Sequence, residues 1–241
     1  MQLTSTGIPG LFTGRDSESV VRARAVRRVA FCVFVSEPDH YLAYLPTVLE
    51  RLRDSLRLAD PVLVVECFLC LRVLLLRTGP GSIGAFRASA LSEMFRIISS
   101  PLQNLPATLS ALQFLDLVTL LSPPDFGYER CFFFTSHPTT PPVVRQNTSS
   151  AQDLYKPLVP ELVTSLCDGL EIASCDDDSA QGLRLEAGRT VFSGVLKTPI
   201  TPMFIALYAK ALTSRNHNPG MANVRPDIEL ISRELEQEFV Q

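Results

Sequence analysis

Residues 62–77 read VLVVECFLCLRVLLLR, and thirteen of these sixteen are apolar. Glu66, Arg72 and Arg77 break the run well short of the ~20 uncharged residues that a bilayer span needs. The stretch is nevertheless too apolar for a surface helix. Pro61 opens it and Gly79-Pro80-Gly81 closes it, which predicts a helix over Pro61–Thr78. A helix apolar nearly all round has to be covered by neighbours on most sides, so the prediction is packed layers of helices.

The flanking sequence agrees. From Ser17 to Ser36 the residues Val20, Val21, Val26, Val29, Ala30, Val33 and Phe34 recur at three- and four-residue spacing, predicting a helix capped by Asp16 or Ser17 and stopped by Pro38. A second stripe over Tyr41–Leu58 uses Leu42, Leu45, Val48, Leu49, Leu52 and Leu56, with Pro46 either kinking that helix or starting its main segment. Ser82–Ser99 and Leu105–Ser122 complete five helices joined by short connections, which would set successive elements antiparallel.

The expected fold is all-α, an antiparallel helical stack of the HEAT or armadillo-like α-solenoid kind with a period of ~40 residues. Three regions are expected: a helical array over 1–122, an aromatic segment with a Pro/Thr/Ser-rich connector over 123–150, and C-terminal helices over 151–241 that pack on or continue the array. The aromatic FGYERCFFF, residues 126–134, reads equally as a short helix or an extended segment. A sixth helix is expected over Leu154–Ile172, Leu183–Leu196 is ambiguous, and Pro202–Ser214 and Pro226–Val240 give the last two, each with proline near its first turn. The seam Ile228, Ile231, Leu235 and Phe239 is too short for an independent coiled coil and is expected to dock on the array.

Hydrophobic residues make up 46% and charged residues 20%, a globular balance without a membrane-spanning block. The first ten residues lack a basic start and an apolar core, so the chain is expected to be cytoplasmic and its cysteines reduced, with Cys32, Cys67 and Cys70 buried as small hydrophobes. Residues 1–100 carry twelve arginines against nine acids, while residues 101–241 carry ten bases against sixteen acids. The N-terminal half is therefore the side expected to meet an anionic partner.

Chemistry-bearing patterns are few. Gly79-Pro80-Gly81-Ser82-Ile83-Gly84 spells GxGxxG, but a leucine-rich helix precedes it, Pro80 lacks a backbone donor, and no acid stands about twenty residues on. It reads as an interhelical turn. Cys67-x-x-Cys70 has no second cysteine or histidine pair to complete a metal site, and His40, His137 and His217 stand apart from any nucleophile motif. The chain is expected to be no enzyme, with no cofactor and no metal.

The sharper feature is Arg24, Arg27 and Arg28, which at 100° per residue share a face opposite much of the valine stripe. Two readings stay open: a solvated face pairing with acids such as Glu50 or Asp54, or a site for an anionic lipid headgroup or an acidic protein partner. Nucleic acid is not expected, because net charge is −3 and no aromatics interleave with the arginines.

Several segments in order, GLFTGRDSESVVRARAVRRVAFCVFVSEPDHYLAYLPTVLERLRDSLRL at 10–58, ECFLCLRVLLLR at 66–77, LQFLDLVTLL at 112–121 and Tyr128 with its following aromatics, resemble the C-terminal region of the Dopey family. A weaker echo lies at Tyr155-Lys156-Pro157-Leu158. The resemblance implies a fragment or reduced form of a very large protein, peripheral on Golgi and endosomal membranes and acting in endosome-to-Golgi retrograde transport. It further implies an Arf-exchange-factor-related scaffold and a phospholipid flippase as partners, and phosphoinositide binding by the C-terminal part.

Overall fold

The computed structural model of the protein describes residues 13–121, 127–134, 157–168, 189–191, 200–217 and 225–240. These residues form nine α-helices and no strand. They are α1 (Thr13–Val35), α2 (Leu45–Arg57), α3 (Pro61–Thr78), α4 (Gly84–Ile98), α5 (Leu105–Leu121), α6 (Gly127–Phe134), α7 (Leu158–Asp168), α8 (Pro202–His217) and α9 (Ile228–Val240).

The helix starts are written locally. Asp60 accepts the backbone N–H of Val62 and Leu63 at 3.1 and 3.3 Å, and Pro61 supplies the preset φ of a first helical position. Asn104 caps α5, Thr201 caps α8 and Asp227 caps α9 in the same manner, through the N–H of Ala107, Phe204 and Leu230. Pro46 lies in the first turn of α2 behind a short 3₁₀ turn at Leu42–Tyr44, so it starts the helix rather than bending it. α3 ends at Gly79, whose φ of +76° is one that a side chain would resist.

The helices stack in two rows. One row runs α1, α3, α5, α8 and the other α2, α4, α7, with α2 packed on α3, α4 on α5 and α7 on α8. Helices α2 and α4 begin at residues 45 and 84, and α3 and α5 at 61 and 105, so the repeat of helix pairs is close to the expected ~40 residues. The central position of α3 explains its composition. Leu63, Cys67, Phe68, Cys70, Leu71 and Val73 are completely covered, with α1 on one flank and α5 on the other. Helix α5 is buried almost as thoroughly, including the charged Asp116.

Four expectations are corrected. Helix α1 begins at Thr13, which puts Asp16 and Ser17 inside it rather than at its cap. Its buried face is Ala23, Ala30, Val33 and Phe34, whereas Val20, Val21 and Val29 are exposed. Cys32 is exposed as well, because it follows Val21 by three turns on the outward side. The residues FGYERCFFF, open between two readings, are helical from Gly127 onward, with Phe133 and Phe134 buried. Arg130 of that helix donates to the carbonyl of Asn216 at 3.1 Å and so ties α6 to α8. Helix α7 starts at Leu158, later than the sixth helix expected from sequence, and the residues expected to carry it past Asp168 lie outside the described residues. The connector over 135–150, the acids Asp176, Asp177 and Asp178, and most of 183–196 lie outside the described residues.

Candidate docking surface

Helix α1 stands at one end of the described row α1, α3, α5, α8 and is apolar on two sides. Its inner side packs on α3. On its outer side, successive turns bring Val21, Ala25, Arg28, Cys32 and Val35 into line, flanked by Arg24 and Val29, and all seven are exposed. Val21 and Val35 keep 61% and 60% of their surface in solvent, which for valine is a large apolar area left uncovered. Arg24 and Arg28, one turn apart, make no ion pair with a described residue. The surface is thus a strip of branched aliphatic side chains with two guanidinium groups set into it.

Of the three arginines expected to act together, Arg27 stands apart. It is half-buried, its Nη1 lies 3.0 Å from the Glu66 carboxylate of α3, its Nη2 donates to the carbonyl of Glu238 in α9, and its guanidinium sits 6.0 Å from the centre of the Phe239 ring. The partner acids foreseen for this face, Glu50 and Asp54, are not the ones used: Glu50 lies near Arg53 of its own helix. Arg22 pairs with Glu18 one turn back at 2.7 Å, an exposed contact of small energetic weight.

Beneath α9 lies a second polar cluster. Arg72, a buried cation in the middle of α3, presents both terminal nitrogens to the two carboxylate oxygens of Glu238 at 2.7 and 2.6 Å. Burial works against its charge, but the pairing with Glu238 outweighs this and holds the guanidinium charged. Arg72, Gln113, Thr190, Tyr208, Glu234 and Glu238 surround a cavity of ≈ 30 Å³, about the room of one water molecule and far below that of a metabolite. Burial pushes the Glu234 carboxyl up to about 7, against the hydroxyl bond donated by Thr190.

A third cluster is wholly internal. Asp116 of α5 accepts the Tyr208 hydroxyl at 2.7 Å and the Val191 N–H at 2.8 Å on one oxygen, and its other oxygen faces the Arg215 guanidinium as an ion pair. Arg215 also donates to the Asp116 carbonyl, to Thr119 and to the carbonyl of Arg189. Burial first, and then the Asp116 charge, raise the Tyr208 phenol well above its ordinary range, so it stays a neutral donor. Every group here is committed to another protein group, which makes the cluster a pin between α5, α8 and residues 189–191 rather than a reactive centre. Cys67 and Cys70 are thiols held protonated, chiefly by burial, and Cys70 is pushed up to about 12. Among the described residues no three His, Cys, Asp or Glu side chains are grouped as a metal ion would require.

Sequence reasoning passed over Asp116 and Arg215 and took Arg72 only as a break in an apolar run. The signal was present for two of them: Asp116 is the only charge in α5, and Arg72 interrupts the apolar run of α3. A lone charge in an otherwise buried helix demands a partner from elsewhere in the chain.

Residues 2–169 of the chain, well over half of its length, match the family model described as DOP1 C-terminal. Protein DOP1 homolog of Drosophila melanogaster is 36% identical over 107 residues, which are 44% of this chain and 4% of that protein. Protein pad-1 of Caenorhabditis elegans is 36% identical over 96 residues, 39% of this chain and 4% of that protein. Protein DOP1B of Mus musculus is 40% identical over 76 residues, 31% of this chain and 3% of that protein. The matched stretch therefore spans only a few per cent of these curated relatives. No solved structure matches.

Proposed function

Because the chain belongs to the DOP1 C-terminal family, the Dopey family of the sequence resemblance, we propose that it is a non-enzymatic scaffold or adaptor module serving endosome-to-Golgi retrograde protein transport. In this reading it works peripherally on Golgi and endosomal membranes, docking protein partners of the kind the resemblance implies, an Arf-exchange-factor-related scaffold and a phospholipid flippase. The observation that carries the reading is the outer side of α1, where Val21, Ala25, Val29, Cys32 and Val35 stand uncovered beside Arg24 and Arg28 at the end of the stack. A stacked-helix protein normally covers such a side with another helix, so an uncovered one is suited to receiving one. No described helix is long and apolar enough to cross a membrane, which fits attachment through partners or headgroups. Capture of bound proteins from cells by the intact chain and by a Val21→Glu/Val35→Glu variant tests it. Partners lost by a variant of unchanged melting temperature support the docking role, and an unchanged set of partners refutes it.

A second reading has its own support in the two guanidinium groups that make no ion pair with a described residue: a module that recruits a flippase-associated complex by binding a phosphoinositide or other anionic lipid through Arg24 and Arg28. Arg27, bound to Glu66 and α9, would set the orientation of α1 rather than touch lipid. Flotation with liposomes containing phosphatidylinositol phosphate, for the chain and for Arg24→Glu/Arg28→Glu, decides it. Lipid-dependent flotation abolished by the charge reversal is the expected result; flotation indifferent to it defeats the reading.

A further inference from the structure

Helix α9 is held on the array by a small set of contacts concentrated on one side and in its last turn. Ile231 and Leu235 are buried, while Glu229, Arg233, Glu236, Gln237 and Val240 face solvent. In the last turn, Glu238 takes the two-pronged bond from Arg72, the Glu238 carbonyl takes a bond from Arg27, and Phe239 meets Phe31 and Phe34 at 5.5 Å between ring centres. A cation at the last carbonyls of a helix is favoured by the helix dipole as well as by the bond itself.

The receiving surface is the edge shared by α1 and α3, continued by Gln113 and Leu117 of α5, Tyr208 of α8 and Thr190, which donates to Glu234. The α1–α3 edge supplies two guanidinium groups and an aromatic pair, and these two helices lie inside residues 2–169, whereas α9 lies outside them. Arg72 gives this edge a requirement of its own, since a cation buried in the middle of α3 needs an anion from outside the helix whatever occupies the groove.

We propose that the α1–α3 edge is a receptor groove for an acidic amphipathic helix of the pattern Ile-x₃-Leu-x₂-Glu-Phe, and that α9 is its built-in, exchangeable occupant. The partner is a protein helix that presents a carboxylate to Arg72, its last carbonyls to Arg27 and an aromatic ring to Phe31 and Phe34. This groove is separate from the outer side of α1, so it stands or falls independently of the docking role given to Val21 and Val35.

The test keeps the full chain. A protease site placed between Gly220 and Met221 is cut after folding, and a fluorescent peptide of residues 225–241 is added as the incoming helix. The expected result is a cut chain of nearly unchanged helicity that takes up the peptide saturably, with binding weakened at least tenfold by Glu238→Gln/Phe239→Ala in the peptide. Failure of the peptide to enter, equal binding of the substituted peptide, or melting of the array on cleavage would each overturn the proposal. So would light scattering that finds uncut chains as α9-swapped dimers, because the groove would then belong to self-association.

Discussion

Asp116→Asn removes one negative charge from the most completely buried ion pair among the described residues and leaves the shape of the side chain in place. Asp116 has no solvent exposure, and the facing Arg215 side chain is 6% exposed. The asparagine oxygen can still accept from Tyr208 or Val191, but its amide then points N–H groups at the N–H groups of Arg215. Breaking a buried pair by removing one partner costs about 3–5 kcal/mol, since the other charge stays desolvated. The low end applies here, because Arg215 retains bonds to Thr119 and to the carbonyls of Arg189 and Asp116. For a chain of this size each 1 kcal/mol moves the melting temperature by roughly 2–4 °C, so ~3 kcal/mol corresponds to a drop of about 6–12 °C. Thermal and urea unfolding followed by circular dichroism measure it. The double variant Asp116→Asn/Arg215→Met, which removes the orphaned cation, is expected to recover at least half of the loss. A drop below about 2 °C for the single variant, or a double variant no more stable than the single, would refute the view of this cluster as the pin between α5 and α8.

Other consequences are open to direct measurement. Leu71→Asp places a carboxylate at a position with no solvent exposure on the central helix, adding desolvation to the ~2–5 kcal/mol that truncating a buried leucine already costs, so loss of the cooperative melting transition is expected; unchanged melting would show that α3 is not central. Glu234, pushed up to about 7 from its ordinary 4.5 mainly by burial, keeps its proton in the folded chain where the unfolded chain has lost it. Its contribution to stability is therefore fully present below about 4.5 and is lost as pH rises through about 7, and Glu234→Gln should flatten the fall of melting temperature between pH 5 and 8; a slope unaltered by the substitution would remove Glu234 as its source. A thiol reagent applied to the native chain should modify the exposed Cys32 quickly and spare the buried Cys67 and Cys70, as read by peptide mass mapping; modification of Cys67 at a rate like that of Cys32 would contradict the burial of α3.

The sequence by itself determined the five helices of the array and their order, because periodicity, caps and prolines act within a few residues of each other, while the start of α1 and the helical form of α6 were not legible in it. Asp60-Pro61, Thr201-Pro202 and Asp227 after Pro226 mark helix starts in plain text, and the apolar run of α3 required neighbours on both flanks. What only the tertiary structure decided is which neighbour meets which side. Helix α1 carries valines all round, so its text does not tell the side resting on α3 from the side left open, and Arg27 parted from Arg24 and Arg28 because Glu66 and the end of α9 happened to converge on it. Arg72 meets Glu238 across 166 residues of chain and Arg215 meets Thr119 across 96. Electrostatic pairing of this kind is a property of distance in space, which a linear sequence specifies only through the packing of every helix in between.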